Sequence, residues 1–251
     1  MSILLTGKII KAAGLTNARM ELGHLFEAAH LLTKEGKDVH VLLPPLPKDK
    51  TQKGNWSELL DLEATLCDAF PLSKVHHRKP KMVFKETIDL GPLSIREKWL
   101  RALRKGEAPP STFPLFHRVV LQPVLSESLI NLTQPWIDAH SPYVCLHLRV
   151  EKDWLAFKKG PDVALRKMAQ RVKDLDRLVL IGGPPGLSLK GIFPPSTKLL
   201  RFPKPMKNAY LTASLDMLIG LNSSYFYGFE PSTLSQVIVF MKGSDQASFY
   251  Q

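Results

Sequence analysis

His147 and Arg149 stand near the end of the apolar run YVCLHLRV, Tyr143 to Val150. On a strand, residues two apart project from one face, so these two share a side and Leu146 and Leu148 take the other. A guanidinium leaving an apolar strand is costly unless it meets an anion. In open α/β sheets, ligands gather beyond the carboxyl ends of the strands. Arg149 is therefore a candidate to meet an anionic ligand, with Glu151 and Asp153 just downstream. An internal ion pair of Arg149 with Glu151 or Asp153 accounts for the same residues without any ligand.

Pro231-Ser232-Thr233 opens the last helix of the chain. Free N–H groups at a helix N-terminus, joined by two hydroxyls, make a seat for phosphate; Ser and Thr are also ordinary N-caps. Asp216 lies upstream, with the strand-like Tyr225 to Gly228 between. Near the N-terminus, Gly14 to Asn17 forms a loop into a helix whose first turn carries Arg19. Glycine permits close backbone approach, and Asn17 either caps the helix or touches a ligand. Three further patterns carry less. Asp174-Leu175-Asp176 resembles a metal-binding D-x-D but precedes its strand, flanked by Lys173 and Arg177. Gly182-Gly183 follows a strand without completing a dinucleotide fingerprint. Asn131-Leu132-Thr133 is a sequon that matters only on a secretory route.

The elements that must position these groups alternate between strand and helix, the pattern of an α/β fold. Ile3 to Leu5 predicts a strand, Met20 to Leu32 a helix stopped by Gly36, and Asp38 to Leu43 a strand ended by Pro44-Pro45. Between Pro47 and Pro114 the pattern weakens. One or two short helices are expected over Trp56 to Phe70, another over Ile95 to Arg104, and an irregular stretch over Glu107 to Pro114. Arg118 to Leu132 reads as helical after Pro123. Strand Tyr143 to Val150 is followed by helix Val163 to Lys173 and strands Arg177 to Ile181 and Lys198 to Phe202. Helix Asn208 to Leu221, strand Tyr225 to Gly228 and helix Thr233 to Lys242 complete the chain. The stretch around Pro135 and Pro142 divides it into halves, 1–135 and 136–251, each expected to hold a parallel sheet.

With 251 residues, 44% hydrophobic and 23% charged, the chain is an ordinary globular mixture rather than a disordered, fibrous or coiled-coil one. No apolar run reaches the roughly 18–20 residues of a membrane helix. MSILLTGKII lacks the pattern of a signal peptide, so a cytoplasmic location is expected. Cys67 and Cys145 alone supply neither a disulfide framework nor a zinc site. The formal charge is +11, but the basic residues are scattered and no nucleic-acid-binding signature accompanies them. A solvated basic surface that attracts a phosphorylated substrate fits better than nucleic acid.

Taken together the segments are more specific than any one of them. HLRVEKDWLAF, His147 to Phe157, resembles the H-L-R-[FY]-E-K-D-M-L-A-F signature of the plant O-fucosyltransferase-like family. GLTNARM at Gly14 to Met20 and VLLPPL at Val41 to Leu46 are similar to its opening, and SELLDL at Ser57 to Leu62 to its next landmark. Ala213-Ser214-Leu215-Asp216, then Ser223-Ser224-Tyr225-Phe226, resembles A-A-L-D-Y…E-S-D-x-F. YGFEPSTLSQV at Tyr227 to Val237 resembles the phosphate-binding loop and helix of the wider superfamily.

The resemblance implies a GT-B-like fold, two Rossmann-like halves whose parallel sheets face a central cleft, with the acceptor side in 1–135 and the nucleotide sugar in 136–251. It implies an inverting, metal-independent glycosyltransferase that moves a deoxyhexose, fucose from GDP-fucose, onto a glycan hydroxyl. Arg149 would contact the donor's β-phosphate, His147 and Asp216 the nucleoside, and Ser232 and Thr233 the pyrophosphate. Gly14 and Asn17 would also line the donor, and Asn17 and Arg19 would face sugar and acceptor. No cofactor or metal is expected beyond the nucleotide sugar. The same signature is shared with rhamnosyltransferases that use UDP-rhamnose. A non-catalytic basic carbohydrate-binding protein, or a pseudoenzyme that binds donor without turnover, would keep the fold. The chain is short for that fold.

Overall fold

The computed structural model describes residues 2–7, 9, 15–46, 55–90, 114–121, 123–149, 166, 169–183, 189, 191–203, 208–230 and 232–250. The chain divides into two compact units, one of Met1–Leu129 with Lys207–Leu211, the other of Ile130–Met206 with Thr212–Gln251.

The first unit is built on a four-stranded parallel sheet in the order β3-β2-β1-β4. Its strands are β1 (Ser2–Gly7), β2 (Asp38–Leu42), β3 (Val75–His76) and β4 (Glu86–Leu90). The expected β1, α1 (Leu15–Lys34) and β2 follow in order, and Gly36, at φ 77°, ends α1. That left-handed conformation favours glycine, and Lys37 N–H closes the turn onto the Leu32 carbonyl at 3.1 Å. Two short helices, α2 (Trp56–Leu59) and α3 (Leu62–Leu66), answer to the expectation for residues 56–70. Asn55 and Asp61 cap them by accepting the Ser57 and Ala64 N–H groups. β4 was not legible: ETIDL at a sheet edge is mostly exposed and lacks an apolar face.

The helix expected over residues 118–132 is two, α4 (Pro114–Leu121) and α5 (Glu127–His140), because Pro123 cannot continue the first. Pro135, read as part of a boundary, lies inside α5, whose later turn is held by buried Ile137. The expected helix at 95–104 and the irregular stretch from Glu107 fall outside the described residues, except Pro114.

α1 holds α4 at both ends. The buried Glu27 carboxylate accepts the Leu115 and Phe116 N–H groups at 2.8 and 3.0 Å, at the positive end of α4. The fully buried Arg19 donates from Nη2 to the Val120 carbonyl at the negative end. Each charge thus meets the helix pole of opposite sign. Gly23 permits the approach, since a Cβ there would lie 3.2 Å from the Phe116 backbone.

The second unit carries a five-stranded parallel sheet, β7-β6-β5-β8-β9. The strands are β5 (Val144–Leu148), β6 (Arg177–Gly182), β7 (Lys198–Leu200), β8 (Tyr225–Gly228) and β9 (Ala247–Phe249). Two helices lie in the later part of the chain, α6 (Ala209–Asn222), which belongs to this unit from Thr212 onward, and α7 (Thr233–Lys242). Residues 166 and 169–171 are helical where a helix was expected over 163–173. Leu146, Leu148, Leu178 and Leu180 form one apolar face with Ala169, Val172, Leu189 and Phe193. From β5 the chain winds outward through β6 and β7, then returns to the other side of β5 for β8 and β9. The order therefore reverses between β5 and β8. Ligands of open α/β sheets sit at such a reversal, beyond the carboxyl ends of the strands.

Candidate functional site

At that reversal β5 delivers His147 and Arg149, and β8 leads through Phe229 into the first turn of α7. His147 is 3% exposed and faces inward. Its Nδ1 lies 2.7 Å from Ser235 Oγ, one turn into α7. Ser235 Oγ also accepts the Phe229 N–H at 2.9 Å, so one hydroxyl joins the ring to the segment leading into α7. Tyr250 Oη donates to the His147 carbonyl at 2.6 Å, fixing the strand end from another side. Burial, followed by the nearby charge of Arg149, pushes the imidazole pKa down to about 3.

Gly182, at the end of β6, lies against the other edge of the ring. Its φ is +66°, and a Cβ there would sit 2.7 Å from His147 Cδ2 and 2.7 Å from the Leu148 carbonyl. Both backbone groups of Gly182 are bound: its N–H donates to Asp216 Oδ2 at 3.0 Å and its carbonyl accepts from Arg201 Nη1 at 2.7 Å. Burial lowers the Arg201 pKa and the Asp216 carboxylate opposes that. Asp216, expected at the nucleoside, thus braces the end of β6. Gly228 allows α7 to close on the sheet, since a Cβ there would lie 2.9 Å from Ser235 Cβ.

Ser232 occupies the N-cap position of α7, yet its side chain makes no capping bond. It is buried, and Thr233 is half-buried. Arg149 follows β5 directly and is half-buried. The second unit therefore brings Arg149, His147, Asp216, Ser232 and Thr233 to the carboxyl edge of one sheet. In the first unit Asn17 lies in the first turn of α1, its Oδ1 buried and without a hydrogen-bond partner among the described residues. Arg19, expected to face sugar and acceptor, is spent on α4, and burial lowers its pKa to about 9. Gly14, Glu151 and Asp153 lie outside the described residues.

Sequence reasoning missed Ser235, Gly182 and Arg201. The signal for Ser235 was its i+3 spacing from Ser232, which puts both on one face of the first turn. Gly182 was weighed only against a dinucleotide fingerprint. Asp174 and Asp176 lie at the amino end of β6, opposite the site. Among the described residues no group of three His, Cys, Asp or Glu is placed to hold a metal ion.

No family model matches the sequence, and no curated protein matches it. Among solved structures, POFUT1 in complex with GDP aligns with a TM-score of 0.60 at 12% identity, covering 99% of this chain and 98% of that one. The fold is that of POFUT1. POFUT1 in complex with GDP-fucose aligns at 0.59 and 11% identity, covering 99% and 97%. At this identity the likeness to POFUT1 is one of architecture: two parallel α/β units of the GT-B-like class, as expected from the sequence.

The buried histidine makes folding sensitive to acid. In the unfolded chain His147 takes up a proton near the ordinary value of 6.5, whereas in the folded protein it does so only near 3. The unfolded state binds more protons between those values, so stability falls as pH drops from about 6.5 toward 3. His24, held down to about 4 by burial, adds to the same slope. Urea unfolding across that pH window should show a steeper loss in wild type than in His147→Gln. Equal slopes would remove His147 from the account.

Proposed function

We propose that the chain is a glycosyltransferase that moves fucose from GDP-fucose to a glycan hydroxyl, with inversion and without a metal. The observation that carries this reading is the seat at the β5/β8 reversal, where Arg149 follows β5 and Ser232 leaves the N-terminus of α7 uncapped. A fold aligned along its whole length with POFUT1, solved with GDP and with GDP-fucose, supports it.

In this mechanism the acceptor hydroxyl attacks the anomeric carbon from the face opposite the diphosphate. The bond from that carbon to the phosphate oxygen breaks, and the hydroxyl proton passes to a carboxylate, Glu151 or Asp153. Negative charge grows on the departing GDP. The Arg149 guanidinium and the N–H groups of α7, with the Ser232 and Thr233 hydroxyls, stabilise it where other transferases use a cation. His147 and Asp216 act at the nucleoside end chiefly by fixing β5 and β6. Residues 1–135 supply the acceptor side, with Gly14 and Asn17 at the sugar and Arg19 holding α1 in place. Residues 136–251 supply the donor side.

Thermal unfolding with GDP and with UDP, each in magnesium and in EDTA, tests the donor. A ligand at about 100 times its Kd stabilises the folded state by roughly 2.7 kcal/mol. GDP should raise the melting temperature equally in magnesium and EDTA. A response to UDP alone would move the donor to UDP-rhamnose, and no response to either would overturn the transferase reading.

A further inference from the structure

The connection from β3 to β4, residues 77–85, reads HRKPKMVFK and has no part in the donor chemistry. Val83 at its tip is 93% exposed and Met82 beside it 42%. A scattered exposed aliphatic is ordinary in a folded protein. Here two adjacent ones project among the exposed Arg78, Lys79, Lys81 and Lys85. The ion pairs Lys37–Glu35, His40–Asp38 and Lys74–Asp38 among the described residues involve none of these cations.

The base of the connection is pinned. Half-buried Phe84 meets His40 edge-on, with ring centroids 5.5 Å apart. His40 in turn stacks on His76, with Nδ1 and Nε2 2.9 Å apart. Lys85 N–H donates to the Ser2 carbonyl at 3.0 Å. Phe84 is therefore drawn inward while Met82 and Val83 are held outward. A tip already ordered loses little entropy when it docks.

We propose that this connection docks the protein on an anionic lipid bilayer. Met82 and Val83 enter the boundary between headgroups and acyl chains, and the four cations meet the lipid phosphates and carboxylates. The apolar tip favours a bilayer over single-stranded nucleic acid, which is gripped by exposed aromatic faces. The phenylalanine of the segment, Phe84, is engaged with His40.

Co-sedimentation of the full chain with vesicles tests the proposal, using phosphatidylcholine alone and with about one quarter phosphatidylserine. Wild type should sediment with the anionic vesicles and not with the neutral ones. Each lysine near the surface contributes about fivefold in partitioning, so Lys79→Ser with Lys81→Ser should weaken it on the order of twentyfold. Met82→Ser with Val83→Ser keeps every charge and should lose the fraction that survives high salt. Lys173→Ser with Lys198→Ser removes the same charge from exposed positions elsewhere and should bind as wild type.

All of these variants change exposed side chains, so an unchanged melting temperature verifies the fold. Failure of wild type to sediment would overturn the proposal. So would equal weakening by the control pair, or an unaffected Met82/Val83 variant. Displacement from vesicles by single-stranded RNA, with tight retention on RNA, would assign the surface to nucleic acid instead.

Discussion

Arg149→Ala is expected to lower the rate of sugar transfer on the order of 10²-fold or more, and to abolish the thermal response to GDP. The reason lies in where charge develops. In the proposed reaction the donor enters with its diphosphate already anionic, and the charge that would limit the rate gathers on the leaving oxygen as the glycosidic bond breaks. A preorganised guanidinium there costs no reorganisation during the reaction, and its removal typically costs 10²–10³ in rate. Arg149→Lys separates charge from geometry: the ammonium restores attraction without the planar fork, so its rate should fall between the other two. A second readout follows from His147, whose low pKa rests first on burial and then on the charge of Arg149. Deleting that charge should raise the His147 pKa, by NMR titration, without bringing it to the ordinary value. Transfer by Arg149→Ala within a few fold of wild type would end the anion role. A shifted His147 beside unchanged turnover would leave Arg149 as a neighbour of the site only.

The parts of this fold that could be read from sequence are those whose burial is written locally. β5 and β6 are apolar runs because both faces of a central parallel strand are covered. α1 shows its period because its sequence places Leu22, Leu25, Phe26 and Ala29 on a buried stripe. β3 and β9, two and three residues long, and the exposed β4 carry no such pattern and exist through their neighbours. The site divides in the same way. That His147 and Arg149 share a face follows from a two-residue period. That His147 turns inward follows from Ser235, 88 residues later, and from the missing side chain of Gly182. Arg19 is the counterpart in the first unit. Its place in the first turns of α1 was legible, but its partner is the Val120 carbonyl, 101 residues away, and a carbonyl leaves no mark on the sequence.

Gly182→Ala should cost far more than any other glycine substitution whose only evident defect is backbone conformation. Gly191 supplies the comparison: its φ is +76°, close to the +66° of Gly182, and a Cβ there would meet nothing within 4 Å. Gly191→Ala therefore carries the left-handed penalty alone, about 1–2 kcal/mol. At Gly182 the same penalty is joined by contacts at 2.7 Å with the His147 ring and the Leu148 carbonyl. Neither can yield freely. The ring is held by Ser235 and the carbonyl belongs to β5 itself, so overpacking adds roughly 1–3 kcal/mol. The sum, about 2–5 kcal/mol, should appear in urea unfolding, and the GDP response should weaken as β5 is displaced from α7. Removing the ring in a Gly182→Ala, His147→Ala double variant relieves one contact and leaves the carbonyl. The pair should then be more stable than the two single losses added together, yet less stable than His147→Ala alone. Strict additivity would mean that the alanine methyl and the imidazole do not meet. Gly182 would then be required only for its backbone angle, and the tie from β6 to the histidine would carry no load.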